Sequence, residues 1–250
     1  MKLPFKTDTG IGTRANFGVI VLQADETLES EFRRMMPADG VGLYVSRITM
    51  EAEVGADTLS RMEGRLPQAT DLLPEITFDA IGFGCTSAAT VIGPARVADA
   101  ISGTRSGARV TEPLSAIVTG ARALGAERLA FVTPYVPEVS SLMRARLVEA
   151  GFSISAFASF EESDDRVVAR ISPASILSAI ETVAGEAACD AVVVSCTNLR
   201  CLDVIAEAEA RTGVPVIASN QAMAWHMLRL AGLGDVCEVG GALHRAPLPA

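Results

Sequence analysis

Two cysteines occupy corresponding places in two similar segments of the chain, 111 positions apart. Cys85 follows the apolar run that begins at Ala80, and Cys196 follows the run that begins at Ala191; each is followed by threonine and a small polar residue. Two thiols facing one cleft can remove a proton from one side of a carbon atom and return one to the other side. One thiolate can instead add to a double bond. The repeat therefore predicts a cysteine-based active site.

Polar residues and backbone N–H groups follow both cysteines. If a helix begins there, its N–H groups and dipole lower the pKa of the thiol and favour the thiolate. The next side chains then cap these helices, or bind a carboxylate or an enolate-like oxygen; they are Thr86, Ser87, Thr197 and Asn198. The alternative for each cysteine is a small buried apolar residue, but the matched pair favours a site. Packing is the expected role of Cys189 and Cys237, while Cys201, on a predicted helix, is expected to point away from the cleft and to be inert.

Apolar runs of strand length alternate with helical segments along the chain. The predicted strands are Phe17–Leu22, Gly40–Arg47, Ala80–Gly84, Leu129–Thr133, Ser153–Phe157, Ala191–Ser195 and Val214–Ala218. The predicted helices are Leu28–Met36, Pro94–Ser102, Ala116–Leu124, Ser140–Ala150, Pro173–Ala184 and Leu202–Arg211. The continuously apolar strands fit parallel strands that are buried on both faces. The alternation predicts a doubly wound α/β fold.

The repeat divides the chain into two similar halves. The apolar strand at Phe17 lies 112 positions before the one at Leu129. We expect two pseudosymmetric parallel-sheet lobes, residues 1–112 with Cys85 and 113–250 with Cys196, interleaved at the chain ends and joined by a crossover within Ser102–Pro113. Ligands of open parallel sheets bind beyond the carboxyl ends of the strands. The active site is therefore expected in the cleft between the lobes.

Composition and motifs argue against several other classes of protein. The formal net charge is −9 and there is no basic run, so neither nucleic acid nor a membrane is an expected partner. No export signal is found, which predicts a cytoplasmic protein with reduced thiols. There is no nucleotide-binding loop or metal-ligand spacing, and Lys2 and Lys6 lie too near the N-terminus for a pyridoxal phosphate Schiff base. No metal or cofactor is expected.

Three motifs resemble those of the Asp/Glu racemase superfamily, most closely its maleate cis-trans isomerase and arylmalonate decarboxylase branch. They are Gly84-Cys85-Thr86-Ser87, Thr133-Pro134-Tyr135 and Ser195-Cys196-Thr197-Asn198-Leu199-Arg200. The resemblance covers nearly the whole chain and implies two lobes with the site between them, no cofactor and a homo-oligomer. It also implies that Cys85 and Cys196 are the active-site cysteines and that Tyr135 contacts the substrate. Because the decarboxylases have glycine at the first position, two cysteines favour an isomerase.

Two acidic residues depart from the family pattern. Asp25 aligns with an asparagine that holds a substrate carboxylate in maleate isomerases, and Asp165 aligns with a second family asparagine. An aspartate at either place repels a carboxylate, so the pair indicates a substrate with an ammonium group. Asp25 has the alternative role of capping the helix Leu28–Met36. A similar segment occurs in the branch associated with ectoine breakdown, whose intermediates are diamino acids.

The sequence therefore predicts a two-cysteine isomerase of a small carboxylic or amino acid. Racemisation by proton transfer and cis-trans isomerisation by covalent addition both remain open, as does an intermediate of ectoine breakdown as substrate. One alternative is an arylmalonate-type decarboxylase. The other is a small-molecule-binding protein on the same fold, because a fold does not determine a function. Slow alkylation of the thiols at neutral pH is the expected mark of a binding protein.

Overall fold

The computed structural model describes residues 1–50 and 56–249, which form two parallel β-sheets. The strands are β1 (Ala15–Leu22), β2 (Val41–Ile48), β3 (Ala80–Gly84), β4 (Arg109–Thr111), β5 (Arg128–Thr133), β6 (Ser153–Ser159), β7 (Ala191–Val194) and β8 (Val216–Ala218). The first sheet has the order β2-β1-β3-β4, and the second has the order β6-β5-β7-β8. Each sheet and the helices around it are called a lobe below.

The two lobes have the same topology. In both sheets every strand pairing is parallel, and the first strand of the lobe lies between the second and the third. Strands β3 and β7 are buried at every residue, as their continuously apolar sequences require. The predicted α/β fold with two pseudosymmetric, doubly wound lobes is confirmed. The exact division of the chain at residue 112 stays a prediction.

Twelve α-helices lie in the described part of the chain. They are α1 (Leu28–Met35), α2 (Ala56–Ser60), α3 (Leu66–Asp71), α4 (Thr86–Ile92), α5 (Pro94–Ser102), α6 (Pro113–Ala123), α7 (Pro137–Glu149), α8 (Asp165–Val168), α9 (Pro173–Glu186), α10 (Ile205–Thr212), α11 (Ser219–Leu230) and α12 (Gly241–Arg245). None of these described helices is long and apolar enough to cross a membrane. Gly125, Gly151 and Gly213 adopt φ values of 67°, 98° and 74° just beyond α6, α7 and α10. These are the left-handed C-terminal positions expected of glycine after a helix.

Two segments differ from their predicted structure. The crossover predicted within Ser102–Pro113 contains β4, a three-residue edge strand that is too short to produce a periodic signal. The helix predicted from Leu202 begins only at Ile205, because residues 202–204 form turns.

Helix α11 was not among the predicted helices. It is buried around most of its surface, so it lacks the polar stripe by which an amphipathic helix is recognised.

Helix α11 joins the two lobes. It follows β8 of the second sheet, yet it packs on α1, α6, β3 and β4 of the first half of the chain. At Gly82 of β3, an added Cβ atom would lie 3.0 Å from the Met227 sulfur, so glycine permits this close approach. One face of the first sheet, with Phe17 and Val19, therefore shares a hydrophobic core with the second lobe. The other face, with Ile20 and Phe83, has a core of its own.

Candidate active site

Cys85 lies at the carboxyl end of β3 and is the N-cap residue of α4. Its sulfur accepts a hydrogen bond from the Ala88 N–H at 3.3 Å and lies 3.4 Å from the Ser87 hydroxyl. The helix predicted after this cysteine is therefore present. Only 2% of Cys85 is exposed, so the thiol is buried; the buried region around Cys85 and Cys196 is called the chamber below.

Cys196 lies beyond the carboxyl end of β7, in the corresponding place of the second lobe. Its sulfur is 3.1 Å from the Tyr135 hydroxyl and accepts a hydrogen bond from the Asn198 N–H at 3.3 Å. The helix expected immediately after this cysteine is absent, because residues 197 and 198 form a turn. The backbone still directs one N–H group at the sulfur, and the tyrosine supplies a second polar partner.

Both thiols have a raised pKa, which corrects the prediction that helix N–H groups would lower it. Burial raises the pKa of Cys85 to about 12, and the charges of Asp165 and Asp25 add to this. Burial likewise raises the pKa of Cys196 well above its usual value, with a further rise from Asp165 and Asp25. In the closed site, loss of water and two nearby carboxylates outweigh the hydrogen bonds to sulfur. The thiols are therefore protonated at neutral pH.

The two carboxylate oxygens of Asp25 have different surroundings. Its Oδ1 accepts hydrogen bonds from the N–H groups of Thr27 and Leu28, both at 2.8 Å, so it caps the start of α1. Its Oδ2 is buried without a hydrogen-bond partner. Burial raises the pKa of Asp25 to about 6, although the two backbone hydrogen bonds, the Thr197 hydroxyl and the charge of Arg47 lower it. The capping alternative thus describes one oxygen and leaves the other free for a ligand.

Asp165 approaches the same thiols from the second lobe. It is the first residue of α8, only 6% of it is exposed, and its Oδ1 has no hydrogen-bond partner. Burial raises the pKa of Asp165 to about 6, and the charge of Asp25 adds to this, while the nearby Tyr135 hydroxyl lowers it. Asp25 and Asp165 each act on both cysteines, and the Asn198 side chain bonds to the N–H beside Asp25 as well as to the Asp165 carbonyl, so the four groups lie in one buried region.

The polar residues after the cysteines connect the lobes. The Asn198 side chain accepts a hydrogen bond from the Glu26 N–H at 2.9 Å and donates one to the Asp165 carbonyl at 3.0 Å. The Thr197 hydroxyl donates to the Gly84 carbonyl at 3.4 Å. The Thr86 and Ser219 hydroxyls are 2.9 Å apart. These predicted site residues therefore brace the chamber, while backbone N–H groups at the first turn of α4 have no partner within the helix.

Glu31, Asn220 and Ser219 also belong to this region and were missed by the sequence analysis. Glu31 is buried on α1 and accepts hydrogen bonds from the Leu202 N–H and the Asn220 amide, both at 2.8 Å. The same amide donates to the Thr197 carbonyl at 2.7 Å. Burial raises the pKa of Glu31 to about 7. Ser219 and Asn220 follow the carboxyl end of β8, which is the signal that could have identified them.

A cavity of about 420 Å³ lies beside Asp165 at the mouth of the cleft. Its lining comes from both lobes: Gln23, Ala24, Glu26 and Met50 from the first, Asp164, Asp165 and Arg166 from the second. Above it, Arg170 and Glu26 form an ion pair between the lobes at 2.8 Å. Neither thiol lines this cavity, since both are almost completely buried. Because Asp165 lines this cavity and its charge acts on both thiols, the cavity is called the entrance below.

The remaining cysteines and the histidines are placed elsewhere. Cys201 is buried in the loop before α10 rather than on a helix. Burial and the charge of Glu31 raise its pKa. Cys189 and Cys237 are half-buried. His226 Nδ1 is 2.8 Å from the Thr111 hydroxyl, and His244 is buried against the backbone of α11. Within residues 1–50 and 56–249, no group of three His, Cys, Asp or Glu side chains could hold a metal ion.

The two roles of Asp25 can be separated by measuring stability. We expect the Asp25→Asn variant to be more stable than Asp25→Ala by about 1–2 kcal/mol, because asparagine keeps an oxygen acceptor for the N–H groups at the start of α1. Both variants remove the buried charge, so the comparison isolates the cap. Urea unfolding at pH 7 provides the measurement. Equal stabilities would contradict the capping role.

This arrangement defines a class of protein: a two-lobed α/β enzyme with a buried cysteine from each lobe. The chain belongs to the arylmalonate decarboxylase family, whose model matches residues 95–244. It therefore lies in the maleate isomerase and arylmalonate decarboxylase branch of the Asp/Glu racemase superfamily, as its motifs predict.

The chain has relatives with each of the two activities of this branch, maleate isomerase and arylmalonate decarboxylase. A maleate isomerase of Pseudomonas putida is 26% identical over 239 residues, covering 90% of this chain and 95% of the relative. An arylmalonate decarboxylase of Bordetella bronchiseptica is 35% identical over 128 residues, half of this chain and 53% of the relative. These matches support an isomerase or a decarboxylase that uses cysteine.

Solved structures show the same architecture. A crystal structure of a Pseudomonas putida maleate isomerase with maleate has a TM-score of 0.84 and 25% identity, covering 94% of this chain and 98% of that one. A Nocardia farcinica maleate cis-trans isomerase, a mutant with a covalently bound succinylcysteine intermediate, has a TM-score of 0.83 and 26% identity, covering 92% and 98%. The similarity extends over both lobes.

Proposed function

We propose that the protein is a cofactor-independent isomerase of a small carboxylic or amino acid, with Cys85 and Cys196 as its catalytic residues. One observation carries the proposal. The two thiols lie at matching strand ends of two matching lobes, inside one chamber where the same two carboxyl groups act on both. A single buried cysteine is ordinary packing, whereas a symmetric pair supplies two reactive groups for one substrate.

The first route is racemisation by two thiols. One cysteine first loses its proton to solvent; as thiolate it takes the proton from the α-carbon, and the electron pair of that bond moves into the adjacent carboxylate. The opposite thiol then gives its proton to the other face of the carbon, which restores the acid in mirror-image form. Backbone N–H groups beside the cysteines stabilise the negative oxygen of the intermediate. Tyr135, 3.1 Å from the Cys196 sulfur, donates a hydrogen bond to that sulfur once it is charged.

The second route is cis-trans isomerisation by covalent addition. One cysteine first loses its proton to solvent; its thiolate forms a C–S bond to one alkene carbon, and the electron pair of the double bond moves toward the carboxylate on the other carbon. Rotation about the new single bond follows, after which the electron pair returns and expels the thiolate. The succinylcysteine intermediate of the Nocardia farcinica relative supports covalent chemistry on this fold.

Proton NMR in D₂O tests the proposal and separates the routes. We expect the enzyme either to place deuterium at the α-carbon of an amino acid with loss of optical purity, or to convert a cis alkene acid to its trans isomer. Maleate, L-aspartate, L-2,4-diaminobutyrate and its N-acetyl derivatives form the substrate panel; diaminobutyrates represent the diamino acids of ectoine breakdown. A Cys196→Ala control loses the reaction. Failure of every panel member with the folded enzyme counts against the isomerase.

A decarboxylase is the second candidate, favoured by the 35% identity of half the chain to the Bordetella bronchiseptica enzyme. Release of CO₂ from phenylmalonate would identify it. The presence of Cys85 argues for the isomerase, because only the second thiol is needed for decarboxylation in the family that the motifs resemble.

Alkylation rates do not separate an enzyme from a binding protein here. Cys85 and Cys196 are 2% and 1% exposed, so slow labelling is expected of either. Turnover is therefore the deciding measurement. We further propose a homo-oligomer and a cytoplasmic location, as the resemblance and the sequence predict.

A further inference from the structure

Two buried carboxylate oxygens in the chamber have no hydrogen-bond partner. They are Oδ2 of Asp25, which comes from the first lobe, and Oδ1 of Asp165, which comes from the second. The two residues are only 4% and 6% exposed. A buried carboxylate oxygen without a donor is costly, and most such atoms in folded proteins are satisfied. The Thr197 and Tyr135 hydroxyls act on these carboxyl groups but form no hydrogen bond with the free oxygens, so two such oxygens, one from each lobe, indicate that a ligand supplies the donors.

The cations around the chamber are engaged elsewhere. The Arg47 guanidinium donates to the Leu22 and Asp25 carbonyls, each at 3.0 Å, and pairs with Glu29. Arg166 pairs with Asp164 beside it in the chain. Arg170 pairs with Glu26 at the entrance.

The charge of Asp25 also raises the pKa of Glu31, a third buried carboxyl of the region. Among the described residues, none of these cations hydrogen-bonds to the two free oxygens, although the charge of Arg47 lowers the pKa of Asp25. A positively charged ligand would add the donors that these cations do not supply.

We propose that Asp25 and Asp165 form a subsite for an ammonium group, so that the substrate is a small carboxylic acid that carries a protonated amine. This inference rests on the proposed function, in which the neighbouring thiols act on that molecule. An ammonium group has three N–H donors, and the two free oxygens accept two of them. One carboxylate comes from each lobe, so the bound ammonium also holds the lobes together around the substrate.

The subsite discriminates by charge as well as by hydrogen bonds. A dianion such as maleate or succinate brings a second carboxylate toward two buried carboxylates, which is unfavourable where water is excluded. An amino acid replaces that repulsion with two charge-assisted hydrogen bonds. The entrance is lined by Glu26 and Asp164 together with Arg166, and its volume of about 420 Å³ suits a molecule of this size.

The test compares ligands that differ in the number of ammonium groups. Succinate has none, L-aspartate has one, and L-2,3-diaminopropionate has two. Binding is measured by titration calorimetry with the wild type and with Asp25→Asn, Asp165→Asn and the double variant. Asparagine has nearly the shape of aspartate and keeps the cap of α1. Asp71→Asn, at an exposed position, is the matched control, and thermal melting verifies that every variant is folded.

We expect the wild type to bind at least one of the two amines about tenfold or more tightly than succinate, a preference that the Asp71→Asn control keeps. The double variant should lose this preference and bind succinate and maleate more tightly than the wild type does. Succinate binding as tight as both amines in the wild type would overturn the subsite, and so would a preference that survives in the double variant.

The subsite and the isomerase can fail separately. If the amines bind with the expected preference but no panel member turns over, the subsite stands and the proposed function falls. If the wild type isomerises maleate and the cysteine variants do not, while succinate binds as tightly as the amines, the isomerase stands and the subsite falls.

Discussion

Replacing either Cys85 or Cys196 with alanine is expected to reduce kcat by about 10³-fold or more, and replacing both is expected to cost little beyond either single change. The reason is that the two thiols act in turn on one substrate, so that losing one already stops the sequence. Their shared environment supports this: burial and the same two aspartates raise the pKa of both sulfur atoms. Steady-state kinetics on the substrate identified by NMR provides the measurement.

Cys201 is the matched control for this prediction. It is as deeply buried as the other two thiols. Its pKa is raised by burial and by Glu31, whereas Asp25 and Asp165 are not among the causes. We expect Cys201→Ala to keep kcat within a fewfold of the wild type. A Cys85→Ala variant that retained full activity would contradict the two-thiol mechanism and would indicate a mechanism that uses one cysteine.

A Glu31→Gln substitution is expected to become more favourable for stability as the pH rises from 4.5 to 8. Burial raises the pKa of Glu31 to about 7 from an unfolded value of 4.5. Between these values the folded state holds a proton that the unfolded state has released, so the wild type loses stability with rising pH. The loss reaches about 3 kcal/mol once the pH exceeds 7. Glutamine does not titrate and escapes this loss.

Urea unfolding of wild type and Glu31→Gln at pH 4.5, 6 and 8 checks the prediction. Its readout is the change with pH of the stability difference between the two proteins. The difference cancels the contributions of other groups, including His226 and His244, whose lowered pKa acts in the opposite direction between about pH 4 and 6.5. Glu75→Gln at an exposed position serves as the control for replacing a glutamate by glutamine. A constant difference for Glu31→Gln would show that the buried carboxyl does not titrate as described.

The parts of the structure that are local in sequence could be predicted. The apolar runs before Cys85 and Cys196 are short and continuous, so they identify strands, and the rule that ligands bind at carboxyl ends then brings both thiols to one cleft. The position of Asp25 ahead of an amphipathic helix identified its capping role. Motif resemblance, rather than pattern, drew attention to Tyr135 and Asp165.

The parts that depend on distant contacts could not be predicted. The partners of Glu31 lie 171 and 189 positions away and could not be predicted, although the spacing of Leu28 and Phe32 places this glutamate on the buried face of α1. The predicted direction of the thiol pKa shift was wrong for a related reason. A helix start is visible in the sequence, but the depth of the chamber and the convergence of Asp25 and Asp165 are not.

The connection made by helix α11 has a consequence for synthesis on the ribosome. Strand β4 ends at Thr111, but α11, which covers one face of the first sheet, begins only at Ser219. While the intervening chain is being made, Phe17 and Val19 lack the partners that complete their core. The first half therefore emerges with an uncovered apolar face that can associate with other nascent chains. The core of the first lobe is therefore completed only after α11 has been synthesised.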